Sequence, residues 1–255
     1  MENRKKLQDA RTSAKIMMIE QSSLAGSELF NTNTELAYRA VERFGKDIVR
    51  TQANREEIVM RFIDNCLVGY EGKVKNREIS PDWLYQYWKT VEGISEESTQ
   101  SILAKFLVEE IFNPGITSIQ AISTFISMSD DDMESFSKLA NLSITYDDDC
   151  FVIHPDVIAF KNIGPLDEYG VKLDDVLNLE FLRLIRSIDC LGTSYEGSFE
   201  KVNYAGREIV LDVSEGTDKI VFTPNGKRLR DMMTLVENPI YTAKLKSVLG
   251  GKIQL

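Results

Sequence analysis

The sequence predicts a mainly α-helical protein with a small α+β part toward its C-terminal end. Three observations predict it. Apolar residues recur at helical spacing through most of residues 34–142, capping and stop signals cut that stretch into separate helices, and from Ser143 onward the spacing changes to that of short strands. On this reading the chain divides into a helical arm over 1–77, a helical core over 78–142, an α+β region over 143–237 and a tail over 238–255.

Residues 2–30 have a weak helical pattern, with Leu7, Ala14, Met17, Met18 and Leu24 as its apolar positions and Asn31-Thr32-Asn33-Thr34 as the break. From Thr34 to about Val68, Ala37, Val41, Phe44, Ile48, Ile58 and Phe62 keep alternating spacings of four and three, with Thr51 and Arg55 in the same seam. That is a long helix with heptad character, which either packs along its own domain or pairs with a second copy through Val41, Phe44, Ile48, Ile58 and Phe62. Gly69 to Ile79 is a polar connector and the expected boundary. Ser80-Pro81-Asp82 supplies an N-cap, a proline at the first helical position and an acid facing the positive helix end. Ser95 before Glu96 and Glu97 opens the next helix, which runs through Ile102, Leu103, Phe106, Leu107 and Ile111 and stops at Asn113-Pro114-Gly115. Thr117 with Gln120 reads as a capping box, and Ser129 before three aspartates opens the helix carrying Met133, Phe136, Leu139 and Ala140.

Two strands then flank the acidic turn Asp147-Asp148-Asp149. Val171 to Ile188 returns to helical spacing through Leu173, Val176, Leu177, Phe181 and Leu184. A hairpin is expected from Phe199–Val213 and Lys219–Thr223 around Ser214-Glu215-Gly216-Thr217, followed by a helix with Leu229, Met232, Met233 and Leu235.

The net charge of −10 is concentrated in the middle of the chain, where residues 78–189 hold 7 basic and 21 acidic side chains. A body of that sign repels phosphate backbones, so nucleic-acid binding would be confined to one end. No apolar run approaches the length of a membrane span, and the charged start, Met1 to Lys6, does not read as a secretory signal, so the expected compartment is the cytoplasm. Cys66, Cys150 and Cys190 have no metal or disulfide spacing and read as reduced thiols.

The order helix, hairpin, helix, with Phe222-Thr223-Pro224-Asn225-Gly226-Lys227-Arg228-Leu229 at its junction, resembles the wing and closing helix of winged-helix domains. With Pro81-Asp82-Trp83-Leu84, Ala104-Lys105-Phe106-Leu107, Asn113-Pro114-Gly115 and Gly170-Val171-Lys172-Leu173-Asp174-Asp175-Val176-Leu177, the chain resembles a bacterial family, domain-of-unknown-function family 2806, from about Arg50 to Leu235. The layout is also similar to the abortive-infection alpha family. The winged-helix resemblance implies a C-terminal hairpin and closing helix, the family resemblance supplies no established activity or catalytic residues to carry over, and the abortive-infection resemblance implies phage defence. Fold likeness alone does not carry function.

No constellation for catalysis stands out. His154 is the single histidine, which removes paired-histidine zinc sites. Asp147, Asp148, Asp149, His154 and Asp156 could offer oxygen ligands to magnesium or calcium, but adjacent strand residues face opposite ways and the EF-hand spacing is missing. Asp212, Glu215 and Asp218-Lys219 approach a nuclease pattern without completing it, and no phosphate-cradling glycine loop is present. No catalytic, cofactor or metal residue is therefore assigned.

Lys201, Arg207, Lys227, Arg228 and Arg230 form the one basic cluster near the wing and are the expected phosphate contacts. The helix before the wing is acidic, so nucleic-acid contact is expected to be weak or absent. The expected function is a non-enzymatic protein-interaction or regulatory role, with a protein partner or a second copy of the chain. A nucleic-acid-binding winged-helix regulator and, more distantly, a metal-dependent nuclease are the alternatives.

Overall fold

The computed structural model describes residues 13, 33–68, 77–155, 166–186, 195–217 and 219–248. The weak helical pattern over 2–30 falls outside them, except at Ser13. Among the described residues from Asn33 onward, five helices come first: α1 (Thr34–Val68), α2 (Pro81–Val91), α3 (Glu97–Phe112), α4 (Ile119–Ser127) and α5 (Asp130–Ala140). The strands β1 (Ile144–Tyr146) and β2 (Asp149–Ile153) follow, then a short 3-10 turn (Asp167–Tyr169), α6 (Leu173–Phe181) and β3 (Ile185–Arg186). The chain continues with β4 (Tyr195–Tyr204), β5 (Arg207–Thr217), β6 (Lys219–Phe222), α7 (Pro224–Asp231) and α8 (Pro239–Val248).

Local capping explains where the helices begin. The Ser80 side chain accepts from the Trp83 amide, and Ser129 forms a reciprocal capping box with Asp132. At two starts the cap lies one residue beyond the expected one. Glu96, not Ser95, caps α3 by accepting from the Ser98 and Thr99 amides. Ser118, not Thr117, caps α4 by accepting from the Ala121 amide. Thr117 is turned inward, and its amide is bound by the buried Glu110 carboxylate.

The helical reading of Val171–Ile188 is too long. The helix stops at Phe181, Arg183 takes a left-handed φ of 59°, and Ile185–Arg186 become a strand on β6. The hairpin turn is also displaced. Ala205-Gly206, both at positive φ, join β4 to β5, while Ser214 to Thr217 lie inside β5. The segment after Asn238, expected as a tail, contains α8, whose Tyr241 and Leu245 are fully buried.

The strands form one six-stranded sheet in the order β3-β6-β2-β1-β4-β5, antiparallel throughout. Helices precede, interrupt and close it, so the whole is mainly helical with a small winged-helix-like C-terminal part. By contacts the chain divides into two compact units, Met1–Glu56 and Glu57–Leu255, a break inside α1 rather than at the Gly69–Ile79 connector. The last turns of α1 are committed to the second unit: Ile58 is fully buried in its core, and Arg61 reaches Ser101 and Glu97 at 3.0 and 2.8 Å. That core joins Tyr87, Phe106, Phe136, Phe151, Leu179 and Tyr241, all within about 2% of complete burial.

Candidate interaction surfaces

The predicted arm seam divides in two. Val41, Phe44 and Ile48 are 57%, 67% and 49% exposed, whereas Ile58 is fully buried and Phe62 packs partly buried against the core of the second unit. Ile58 and Phe62 are therefore spent on intramolecular packing. Over residues 38–50 nearly every side chain of α1 is exposed, including Tyr38 and Val49. Such exposed side chains contribute little by burial, and the i,i+4 ion pairs, Arg39 with Glu35 and Lys46 with Glu42, are solvent-exposed and add little.

The predicted phosphate contacts are engaged elsewhere. Lys227 binds Asp231 at 3.1 Å, Arg228 approaches Glu109 at 3.9 Å and Arg207 meets Glu237 at 3.2 Å. Arg230 is a correction to the sequence reading: it is buried, its Nε donates to Ser143 Oγ at 2.9 Å, and its guanidinium pairs with Asp231 at 3.0 Å. Lys201 lies in the part of β4 described by its backbone alone.

Two groups that could support chemistry, His154 and Cys150, are buried in the packing. His154 is buried with its ring edge-to-face on Tyr169, 5.9 Å between centroids. Burial pushes the Cys150 thiol up to about 11, so it is protonated at neutral pH and not poised as a nucleophile. Asp147 occupies a left-handed turn position and Asp149 pairs with Tyr146 in the ladder. Among the described residues no three carboxylate, cysteine or histidine groups converge as metal ligands. Asp212 and Glu215 lie on β5, and Asp218 is outside the described residues.

Of the crowded aromatics on α2, Tyr87 is buried and donates to the Leu103 carbonyl at 2.9 Å. Trp83 stacks on it at 5.2 Å and donates to the Thr117 carbonyl, and Trp88 meets it edge-on. Tyr85 alone of the four is exposed.

A surface the sequence reading missed lies on α6. Leu173, Leu177 and Phe181 are 65%, 49% and 83% exposed, while Val176 and Leu179 face the core. The signal was present as an i, i+4, i+8 row, but it merged with the core positions into one apolar pattern.

A helical core followed by a hairpin-bearing sheet and a closing helix defines a winged-helix-like protein with a helical N-terminal arm. The chain belongs to the family described as protein of unknown function (DUF2806), whose model matches residues 38–246. No curated protein and no solved structure matches it. No described helix is long and apolar enough to cross a membrane.

Proposed function

We propose that this chain is a non-enzymatic interaction or regulatory protein that self-associates through the free part of its arm helix. The observation that carries the reading is the row Val41, Phe44 and Ile48, spaced three and four apart and half to two-thirds exposed. Large apolar side chains in such a row are stabilised when a second helix covers them, and two copies of the same seam are mutually complementary. Light scattering at micromolar protein tests this. Wild type is expected as an oligomer, and Phe44→Asp with Ile48→Asp is expected as a monomer with an unchanged melting temperature for the Glu57–Leu255 unit. A monomeric wild type rejects the reading. The layout resemblance to the abortive-infection alpha family makes phage plating on strains with and without the gene the matching cellular assay.

A second reading, a nucleic-acid-binding winged-helix regulator, has more direct support from the fold outline than the protein-binding reading has. The charges weigh against it, because each described cation of the expected cluster already has an acidic partner. Gel shifts at low and moderate salt decide between them. Weak, steeply salt-dependent binding lost in Lys227→Glu with Arg228→Glu would mark a minor electrostatic contact. Submicromolar binding to a defined duplex at about 150 mM salt, surviving that change, would establish the regulator reading.

A further inference from the structure

We propose that α6 is a docking face for an amphipathic helix of another protein, one whose apolar residues are flanked by lysine or arginine. This rests on the reading of the chain as a binding protein and names the chemistry of one partner. At about 100° per residue, Leu173, Leu177 and Phe181 fall within about a quarter of the helix circumference, so they form one stripe. All three are large and exposed, and Phe181 is 83% so.

What borders the stripe identifies its occupant. Asp174 follows it on one edge and Glu180 on the other by the same angular arithmetic. Beyond Asp174 on that first edge lies Asn178, which donates to Asp132, and Ser135 donates to Asp175 at 2.9 Å. These two bonds lay α5 antiparallel beside α6 and bring the first turn of α5, with exposed Asp130 and Asp131, to that edge. Among the described residues no cation pairs with Asp130, Asp131 or Asp174. Nearby cations are placed differently: Lys138 is held by Glu134 at 2.6 Å, and Lys172, Arg183 and Arg186 sit before and after the helix rather than along its edges.

An apolar stripe with an acidic long edge, formed by Asp174 with Asp130 and Asp131, selects among partners. A second copy would set acidic edge against acidic edge, and nucleic-acid phosphates or an anionic bilayer would meet the same repulsion. A helix with leucine-type residues at i, i+3 or i+4 and cations at its flanks satisfies both stripe and rim.

Fluorescence anisotropy with full-length protein tests this. The probe is a labelled amphipathic leucine/lysine peptide of about 18 residues, or five turns, with comparators carrying glutamate for lysine or serine for leucine. The leucine/lysine peptide is expected to bind in the micromolar range, with both comparators at least about tenfold weaker. Leu177→Ser with Phe181→Ser should weaken it by about tenfold or more, and Asp174→Lys by roughly severalfold, with the remaining affinity less salt-dependent. Glu42→Lys, the same charge change placed on α1, should leave binding unchanged. The altered α6 side chains are exposed, so these variants should melt with wild type; Asp174→Lys, which removes no packing, decides the matter if the double variant does not. Equal binding by the α6 variants, equal binding of the glutamate comparator, no binding of the leucine/lysine peptide, or an oligomer dispersed by Leu177→Ser with Phe181→Ser would each overturn the proposal. Self-association through α1 would stand or fall separately in light scattering.

Discussion

Gly226→Ala is expected to be among the most destabilising single-methyl changes this chain can suffer. A Cβ built at Gly226 lies 1.9 Å from the Leu184 carbonyl oxygen and 2.8 Å from its carbon. Backbone, not a flexible side chain, is in the way. That oxygen is also held in place, accepting from the Thr223 amide at 2.9 Å, while the single Thr223 hydroxyl proton has the Arg183 carbonyl at 2.7 Å as its nearer acceptor. Relieving the clash requires α7 and the turn before β3 to separate by more than 1 Å, roughly the difference between 1.9 Å and an ordinary contact. Overpacking of this kind costs about 1–3 kcal/mol. Stretching the amide bond to Leu184 adds about 1 kcal/mol, for a total of about 2–4 kcal/mol. With an m-value of about 3 kcal/mol per M, the urea midpoint should fall by roughly 0.7–1.3 M, followed by tryptophan fluorescence. Gly93→Ala is the control, since its Cβ would meet nothing within 4 Å, and it should shift stability by no more than about 0.5 kcal/mol. A Gly226→Ala midpoint indistinguishable from that of Gly93→Ala would refute the close approach of α7 to Leu184.

Two further predictions concern carboxylates. Glu110 is buried, and its two oxygens accept from the Gly115 and Thr117 amides at 2.7 and 2.9 Å, so Glu110→Ala should cost about 2–4 kcal/mol in urea melts by orphaning two donors. Glu110→Gln, which keeps one acceptor and points an NH2 at the other amide, should recover only part of that loss. Hydrogen bonds from Ser98 and Thr99 lower the Glu96 carboxyl from 4.5 to about 2. A depressed carboxylate contributes stability that is present above about pH 4.5 and lost as pH falls toward 2, so Glu96→Ala should flatten the acid limb of the stability profile in that window while changing little of its slope at neutral pH. Acid unfolding of the variant parallel to wild type would show that the cap carries no linkage.

The sequence displayed the fold best where a structure is settled by neighbours in the chain. Ser80-Pro81-Asp82 and Ser129 before its aspartates mark helix starts because each cap closes within three residues. It was misleading where two adjacent residues could do the same job. Ser95 and Glu96, or Thr117 and Ser118, are separated only by which one the rest of the molecule turns inward, and Glu110 decides the second case from seven residues away. The strands past Arg183 were less legible for a related reason. Ile185 and Arg186 continue the helical apolar spacing, yet they belong to β6, which is more than thirty residues distant in sequence and supplies their hydrogen bonds. The turn Ala205-Gly206 carries a weaker turn signal than Ser214 to Thr217, but the β4–β5 ladder closes there.

The surfaces divide on the same line. Apolar spacing reveals that a helix has an apolar face, but not whether that face is covered. In α1 the single seam from Val41 to Phe62 is exposed at one end and buried at the other, because Ile58 lies in the core while Phe44 has no described neighbour to cover it. In α6 the apolar residues split between Val176 and Leu179, which are buried, and Leu173, Leu177 and Phe181, which are not. The basic residues after the wing behave in the opposite way. Their clustering in sequence suggests a phosphate surface, but Asp231, Glu237 and Glu109 come within ion-pair distance of Lys227, Arg207 and Arg228, and Ser143 draws Arg230 inside. In the winged-helix-like part Arg207, Lys227, Arg228 and Arg230 thus lie beside carboxylates, while Leu173, Leu177 and Phe181 are exposed on the helix ahead of the wing. Affinity for a phosphate backbone comes chiefly from uncompensated positive charge, so charge reversal at Lys227 and Arg228 bears on that contact, whereas Leu177→Ser with Phe181→Ser bears on an apolar contact with protein.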